Sequence, residues 1–293
     1  MELFLEQVVD GLAMGGVYGS LALGMVLIFR TTGILNFAQG EMALVAVYGV
    51  WQLHHWGVPL LVAIVGGIVL AFVGGALVEF TVIRRLSKDN EWGMVILTFG
   101  LFLFLSNLTG FVWGYLPVSF GDIFPADVLS VFGVSVTLGS LGTMLVVLIE
   151  IALLTFVLHR TKLGLAMRAT VSNRASASLV GINVRRMSLL GWGIAASIGA
   201  IAAVLAAPTL YIEPGMMFSV LLYALAAAAL GGFDSLLGAV VASLIIGVSE
   251  NLAATYIPWI GSELKIAVPL AIIFVVLVLK PSGLFGSEEA VRV

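Results

Sequence analysis

The sequence contains no cysteine, which excludes disulfides, thiolate metal sites and cysteine nucleophiles. It is also short of charge: only 10% of its residues are Asp, Glu, Lys or Arg, against about 25% in a soluble domain. A basic segment ahead of the first apolar run is missing as well. The opening MELFLEQVVDG has acids there, so no cleaved signal peptide is expected. Nowhere does the pattern G-x-x-x-x-G-K-[ST] occur, so the chain is expected to hydrolyse no nucleotide itself. His54 and His55 stand beside Trp56 with no Cys or acid at ligand spacing, and no metal site is expected. With no nucleophile constellation visible either, a membrane-embedded enzyme is disfavoured.

What is present is apolar surface, with 61% hydrophobic residues and a mean hydropathy of +1.18. Helical runs of about 20 apolar residues match the hydrocarbon core of a bilayer, and lipid tolerates no unsatisfied backbone. Nine runs can be drawn: Val8 to Phe29, Phe37 to Leu53, Val58 to Ile83, Trp92 to Trp113, Leu138 to Leu158, Met187 to Pro208, Met216 to Gly232, Ser235 to Thr255 and Leu264 to Leu279. The expected fold is therefore an all-α polytopic transmembrane helical bundle of about nine passes, forming a single transmembrane domain over residues 1–293. The second and seventh runs are short and Gly-rich, and a re-entrant segment at either would make the count eight or ten.

Charge placement sets an expected orientation. With the N-terminus outside and the C-terminus cytoplasmic, Arg30, Arg84, Arg85, Lys88, the long loop, Lys280 and Arg292 put 12 of the 13 Lys and Arg residues inside. Only Lys265 falls outside, together with Glu2, Glu6, Asp122, Asp127, Glu213 and Glu263. This is the positive-inside bias. The long loop, residues 159–187, includes RTKLGLAMRATVSNRASASLVGINVRR, with six basic residues and no acid from Arg160 to Arg186. Within it Ser172 or Asn173 is placed to cap a short helix from Arg174 to Val180, and Gly181 suits the left-handed residue that ends it. Leu179, Val180 and Ile182 supply an apolar tip ringed by Arg168, Arg174, Arg185 and Arg186. Such a knob fits a groove on a soluble partner; a basic loop lying on anionic headgroups accounts for the charge equally.

Small residues at four-residue spacing let helices approach where lipid removes the hydrophobic drive. They form stripes at Gly11, Gly15 and Gly19, at Gly67, Ala71 and Gly75, and at Ala195, Gly199, Ala203 and Ala207. Pro208 is expected to end the sixth run, and Asp234 or Ser235 to cap the eighth. Asn36 opens the second run as a cap, with Gln39 expected to reach back in a capping box. Glu41, Glu150 and Glu250 are acids inside the runs, and intramembrane carboxylates mark functional sites or interhelical pairs. Glu79 is expected to pair with Arg84 or Arg85. Asn36, Gln39, Glu41, Asn107, Glu150 and Glu250 are the candidates to border a solute path, with helix capping, interhelical hydrogen bonding and pairing as the structural alternatives. Trp51, Trp56, Trp92, Trp113 and Trp259 lie at run ends, as aromatic belts do.

Four stretches then carry a family resemblance: GGVYGSLALGMVLIFRTTGILNFAQGE (Gly15 to Glu41), KLGLAMRAT with SLVGINV, LGGFDSLLGAVVASLIIGVSE (Leu230 to Glu250) and LKPSGLFG (Leu279 to Gly286). In their order and spacing the chain resembles the permease subunits of branched-chain amino acid ABC importers, the Liv-type family. The resemblance implies a subunit of the inner (cytoplasmic) membrane that works with a second permease, two cytosolic ATPases that bind ATP and Mg, and a periplasmic or extracellular solute-binding protein. Membrane lipid is the remaining partner, no nucleic acid is expected, and this chain itself would hold no cofactor. The helix from Asn173 to Gly181 would be the coupling helix. The family often has His where this chain has Gln39, a departure that removes a titratable group.

The expected function is thus an importer permease for a small polar solute, a branched-chain or other aliphatic amino acid first, with urea and short amides as alternatives. A proton- or sodium-driven carrier would also use intramembrane acids, but has no need of a capped basic helix outside the membrane.

Overall fold

Each of the nine apolar runs coils as a helix in the computed structural model, which describes residues 1–86, 91–131, 134–261, 264–280 and 282–286. Lys88, Glu263 and Arg292 of the charge distribution, and Pro281 of the tail motif, lie outside the described residues. The helices are α1 (Glu2–Thr32), α2 (Gln39–His55), α3 (Leu60–Thr81), α4 (Glu91–Trp113), α5 (Leu138–Arg160), α6 (Lys162–Ser172), α7 (Arg174–Leu179), α8 (Val184–Leu210), α9 (Met216–Gly231), α10 (Leu236–Tyr256) and α11 (Ala267–Leu279). Among the described residues six are long and apolar enough to cross a membrane: α1, α3 with the 3-10 turn Ile83–Arg85 that follows it, α4, α5, α8 and α10. Helices α9 and α11 are apolar but shorter, and α2 has 17 residues. One element departs from the all-helical expectation: β1 (Val128–Val131) pairs antiparallel with β2 (Val134–Thr137).

The chain forms two compact units, each assembled from separated segments. The first comprises Met1–Val26, Asp122–Val147 and the described residues from Val220 on. Its core is a backbone-to-backbone contact of α1 with α10: a Cβ placed on Gly247 would lie 2.4 Å from the Gly11 carbonyl oxygen and 2.5 Å from the Gly15 Cα. Only glycine permits that approach, so the first small-residue stripe is a helix contact, as expected. Two N-terminal acids hold the hairpin and the start of α5 to α1. Glu6 accepts from the Ser135 amide at 3.1 Å, and Asp10 from the Ser140 hydroxyl at 2.6 Å. At the other end Ser235 caps α10, accepting from the Gly238 amide at 3.0 Å. The tail motif then returns to α9, where the amides of Leu284 and Phe285 donate to the carbonyls of Leu230 and Gly231 at 2.8 and 3.1 Å. Those carbonyls end a helix and have no intrahelical donor.

The second unit comprises Leu27–Gly121 and Leu148–Ser219. Helix α8 is its centre, and α2 and α3 pack on it and on each other. A Cβ on Gly75 would meet the Trp192 carbonyl at 2.6 Å, and one on Gly67 would meet Val50 at 2.2 Å. Ala195, Gly199, Ala203 and Ala207 are buried, along with most of the other positions of α8 between Gly191 and Ala207. What the sequence presents as a stripe is therefore a helix enclosed nearly all round. Pro208 does not end it. The helix continues to Leu210 and stops at Tyr211, whose φ of 58° makes it the only non-glycine residue with positive φ among those described.

Candidate functional site

The basic loop folds into two helices. Thr161 caps α6, accepting from the Gly164 amide at 3.1 Å, and α6 turns back so tightly that a Cβ on Gly164 would lie 2.2 Å from the Val157 carbonyl oxygen. The glycine of KLGLAMRAT is thus a steric requirement. Asn173 caps α7, its Oδ1 accepting from the Ser176 amide at 2.9 Å. Gly181 ends α7 with φ of 85°, its amide bonded to the Ser178 carbonyl, while the Ile182 amide reaches the Ala177 carbonyl at 3.0 Å. This double closure is a helix stop that favours glycine. Leu179 and Val180 are 87% and 76% exposed, and Ile182 is half-buried behind them. Arg168 is exposed on α6. Arg174 turns inward and donates to the Thr31 carbonyl at the end of α1, and burial lowers its pKa from the ordinary arginine value. The loop thus presents a capped helix with an exposed apolar tip, anchored by its own first residue.

The start of α2 is built differently from the expected capping box. The Asn36 Oδ1 accepts from the Ala38 amide at 3.1 Å, and its Nδ2 donates to Gln39 Oε1 at 3.1 Å. Gln39 does not reach back to a backbone amide. Its Nε2 donates to the Ala195 carbonyl of α8 at 2.8 Å. The close approach of α2 to α8 puts a helix carbonyl within reach, and that contact outcompetes the local one. Asn36 and Gln39 are fully buried with each side-chain polar atom bonded, and α2 begins at Gln39 after Ala38, which takes the cap position in place of Asn36.

Glu41, two residues further on, is also fully buried, and neither carboxylate oxygen has a hydrogen-bond partner. On the same α2 face two turns later, the Tyr48 hydroxyl is buried and unpartnered, with its ring stacked on Trp113 at 4.8 Å. The Trp192 indole N–H on α8 is in the same condition. Nearly all buried polar groups in folded proteins find partners, so such exceptions point to water or a ligand. Sequence reasoning picked out Glu41 and missed Tyr48 and Trp192. A signal was available for Trp192, which lies within its apolar run and away from the ends where belt tryptophans sit.

The other candidates have different surroundings. Glu250 accepts from the Tyr18 hydroxyl at 3.0 Å and pairs with Lys265 at 3.2 Å, while Tyr18 stacks on Tyr223 at 4.5 Å. Glu150 is buried midway along α5. Asn107 is exposed and donates to the Leu103 carbonyl of its own helix at 2.7 Å. Glu79 pairs with Arg84 at 2.8 Å, as its spacing leads one to expect. Trp113 is not a free belt residue, since its indole donates to Gln52 at 3.1 Å. Among the described residues no group of three His, Cys, Asp or Glu side chains is placed to hold a metal.

Membrane-length helices packed through glycine contacts, a buried acid without a hydrogen-bond partner on α2 and a capped helix with an exposed apolar tip are those of a polytopic membrane protein. Residues 7–277 match the family model described as "Branched-chain amino acid transport system / permease component", and the chain belongs to that family. It is an ABC importer permease of the cytoplasmic membrane. It is 30% identical to the high-affinity branched-chain amino acid transport system permease protein LivH of Escherichia coli K12, over 99% of this chain and 98% of that one. It is 29% identical to BraD of Pseudomonas aeruginosa at the same coverage. The probable LivH permease of Methanocaldococcus jannaschii is 30% identical over 92% of this chain and 88% of its own length. A solved structure, PsaBC from Streptococcus pneumoniae in complex with Fab, shares the fold with a TM-score of 0.50 at 15% identity, covering 91% of this chain and 89% of that one.

Proposed function

We propose that this chain carries a branched-chain or other aliphatic amino acid across the membrane, with its N-terminus outside and its C-terminus in the cytosol. In this reading α7 is the coupling helix. Leu179, Val180 and Ile182 enter a groove on a cytosolic ATPase, Asn173 and Gly181 fix the helix ends, and Arg174 transmits displacement to the end of α1 through Thr31. Arg168 contributes positive charge beside the docking tip. ATP and Mg are bound by two ATPase subunits; this chain holds no cofactor and catalyses nothing. A second permease subunit and an external solute-binding protein complete the assembly.

The observation that carries the coupling role is the exposure of Leu179 and Val180 on a doubly capped helix. Large apolar side chains held rigidly outside the membrane-length helices suit a docking contact. The solute path is assigned to the side of α2 bearing Glu41, where a carboxylate without a partner suits the ammonium group of a zwitterion. Asn36 and Gln39 position that helix, and Glu250 is assigned to helix pairing through Tyr18 and Lys265.

The test is ATP hydrolysis by the chain purified with its ATPases, second permease and binding protein, titrated with aliphatic amino acids, urea and short amides. Stimulation by leucine, isoleucine or valine is expected. Stimulation by urea or amides alone would reassign the solute, and a chain that purifies alone and moves solute down an ion gradient would refute the coupling role.

A further inference from the structure

A cavity of about 290 Å³ lies in the second unit beside the first turn of α8, lined by Thr32, Glu79, Arg84, Met94, Arg185 and Ser188 among others. On the orientation proposed above it opens at the cytosolic end of the helices, on the same side as α7. Its charge is unbalanced. Glu79 is buried and takes one nitrogen of Arg84 at 2.8 Å, which leaves the Arg84 Nε buried with no partner, while Arg185 is exposed at the cavity mouth. One carboxylate and two arginines thus line the cavity, and the Arg84 guanidinium lies over the Phe80 ring, 4.9 Å from its centroid. Hydroxyls of Thr32 and Ser188 complete the polar lining. Arginine forks recognise phosphate oxygens by paired, charge-assisted hydrogen bonds.

We propose that this cavity binds a phosphate group, held by Arg84 and Arg185 with the Ser188 hydroxyl as a further donor; the Thr32 hydroxyl is committed to the Ile28 carbonyl at 2.7 Å. The remaining lining, Ile83 and Leu86 among it, is apolar. Nearby, Leu77 and Phe80 of α3 and Ile96 of α4 are exposed large hydrophobics in membrane-length helices. That combination fits the headgroup of an anionic phospholipid whose chains lie along α3 and α4, since basic pockets between helices on the cytosolic side recognise such headgroups. Inorganic phosphate or a soluble phosphate ester would use the same donors without the apolar bed. Occupancy would join the end of α3 to the start of α8, only a few residues after the helix assigned to coupling.

Arg84→Gln alone would strand the buried Glu79 carboxylate and endanger folding. The variants are therefore Arg185→Gln and the double change Glu79→Gln/Arg84→Gln, which removes both members of the pair, with the exposed Arg85→Gln as a control for surface charge. The full chain, purified with the subunits that co-elute, is placed in nanodiscs of phosphatidylcholine with phosphatidylglycerol, and the retained phosphatidylglycerol is counted by native mass spectrometry. In nanodiscs of phosphatidylcholine alone, inorganic phosphate is titrated by calorimetry. Retention of at least one phosphatidylglycerol, weakened on the order of tenfold by either cavity variant and unchanged by Arg85→Gln, is expected. Phosphate binding with that same pattern, and no difference in lipid retention, would keep the site and assign it to a soluble anion. Equal retention and equal phosphate binding in the wild type and all variants, each folded by its thermal transition, would overturn the proposal.

Discussion

Arg174, the first residue of α7, donates a guanidinium hydrogen bond to the carbonyl of Thr31, near the last residue of α1. The projecting helix is thereby attached to a membrane-length helix by a contact spanning 143 residues of sequence. Arg174→Ala should lower solute uptake several-fold while the partner subunits keep hydrolysing ATP. Arg174→Lys, which keeps a cationic donor for that single carbonyl, should restore part of the loss. Parallel assays of uptake and hydrolysis on one preparation test this, and a proportional fall in both would show that the contact is only structural.

Gly181 has φ of 85° with open space around its Cα, so a side chain meets backbone strain and no clash. A β-branched residue there costs about 1–2 kcal/mol and loosens the stop of α7. Gly181→Val is expected to reach the membrane in normal amount and to uncouple uptake from hydrolysis. Normal uptake in that variant would remove α7 from the coupling role.

Glu41 should separate stability from function. Replacing an unpartnered buried acid by an apolar residue of similar length removes an unfavourable group worth about 1–3 kcal/mol. Glu41→Met is therefore expected to raise the thermal transition of the purified chain and to depress uptake. A variant that transports with wild-type kinetics would return Glu41 to a purely structural category.

The α1–α10 crossing predicts a sharp contrast between glycines. Gly247→Ala puts a methyl 2.4 Å from the Gly11 carbonyl oxygen, so the helices must part, at a cost of about 1–3 kcal/mol. Gly74→Ala on α3 meets nothing within 4 Å and is expected to be neutral or stabilising by up to about 1 kcal/mol. Thermal transitions of the two variants in one detergent decide the point; equal shifts would mean that the crossing is looser than its geometry.

Lys265 and Glu250 give the last contrast. Lys265→Met leaves a nearly buried carboxylate with tyrosine hydroxyls, Tyr18 and Tyr223, but no cation, whereas Glu250→Gln keeps an acceptor for Tyr18 and buries no carboxylate charge. The lysine variant is expected to be the less stable of the two. Because Lys265 is 43% exposed, the difference should be modest, on the order of 1 kcal/mol.

Much of this was legible in the residue order. The caps at Asn173 and Ser235 and the left-handed stop at Gly181 depend on neighbours within four positions, and each formed where the local chemistry placed it. Gln39 was misread because its partner, the Ala195 carbonyl, is 156 residues away. The β1–β2 hairpin escaped notice because its short strands lie between long apolar runs that dominate any reading of hydropathy.

Sequence alone determined that the chain is a membrane-embedded helical protein with one basic loop, because hydrophobic length and charge placement act through solvent and need no tertiary partner. It determined family membership too, through the order of four motifs. Only the tertiary structure decided which intramembrane acids are neutralised. Glu250 found Tyr18 and Lys265, and Glu41 was buried without a hydrogen-bond partner, whereas the Glu79–Arg84 pair was already legible in its spacing. The same residue type took different roles because the cost of a buried carboxylate depends on which donors other helices bring to it, and helix packing sets that.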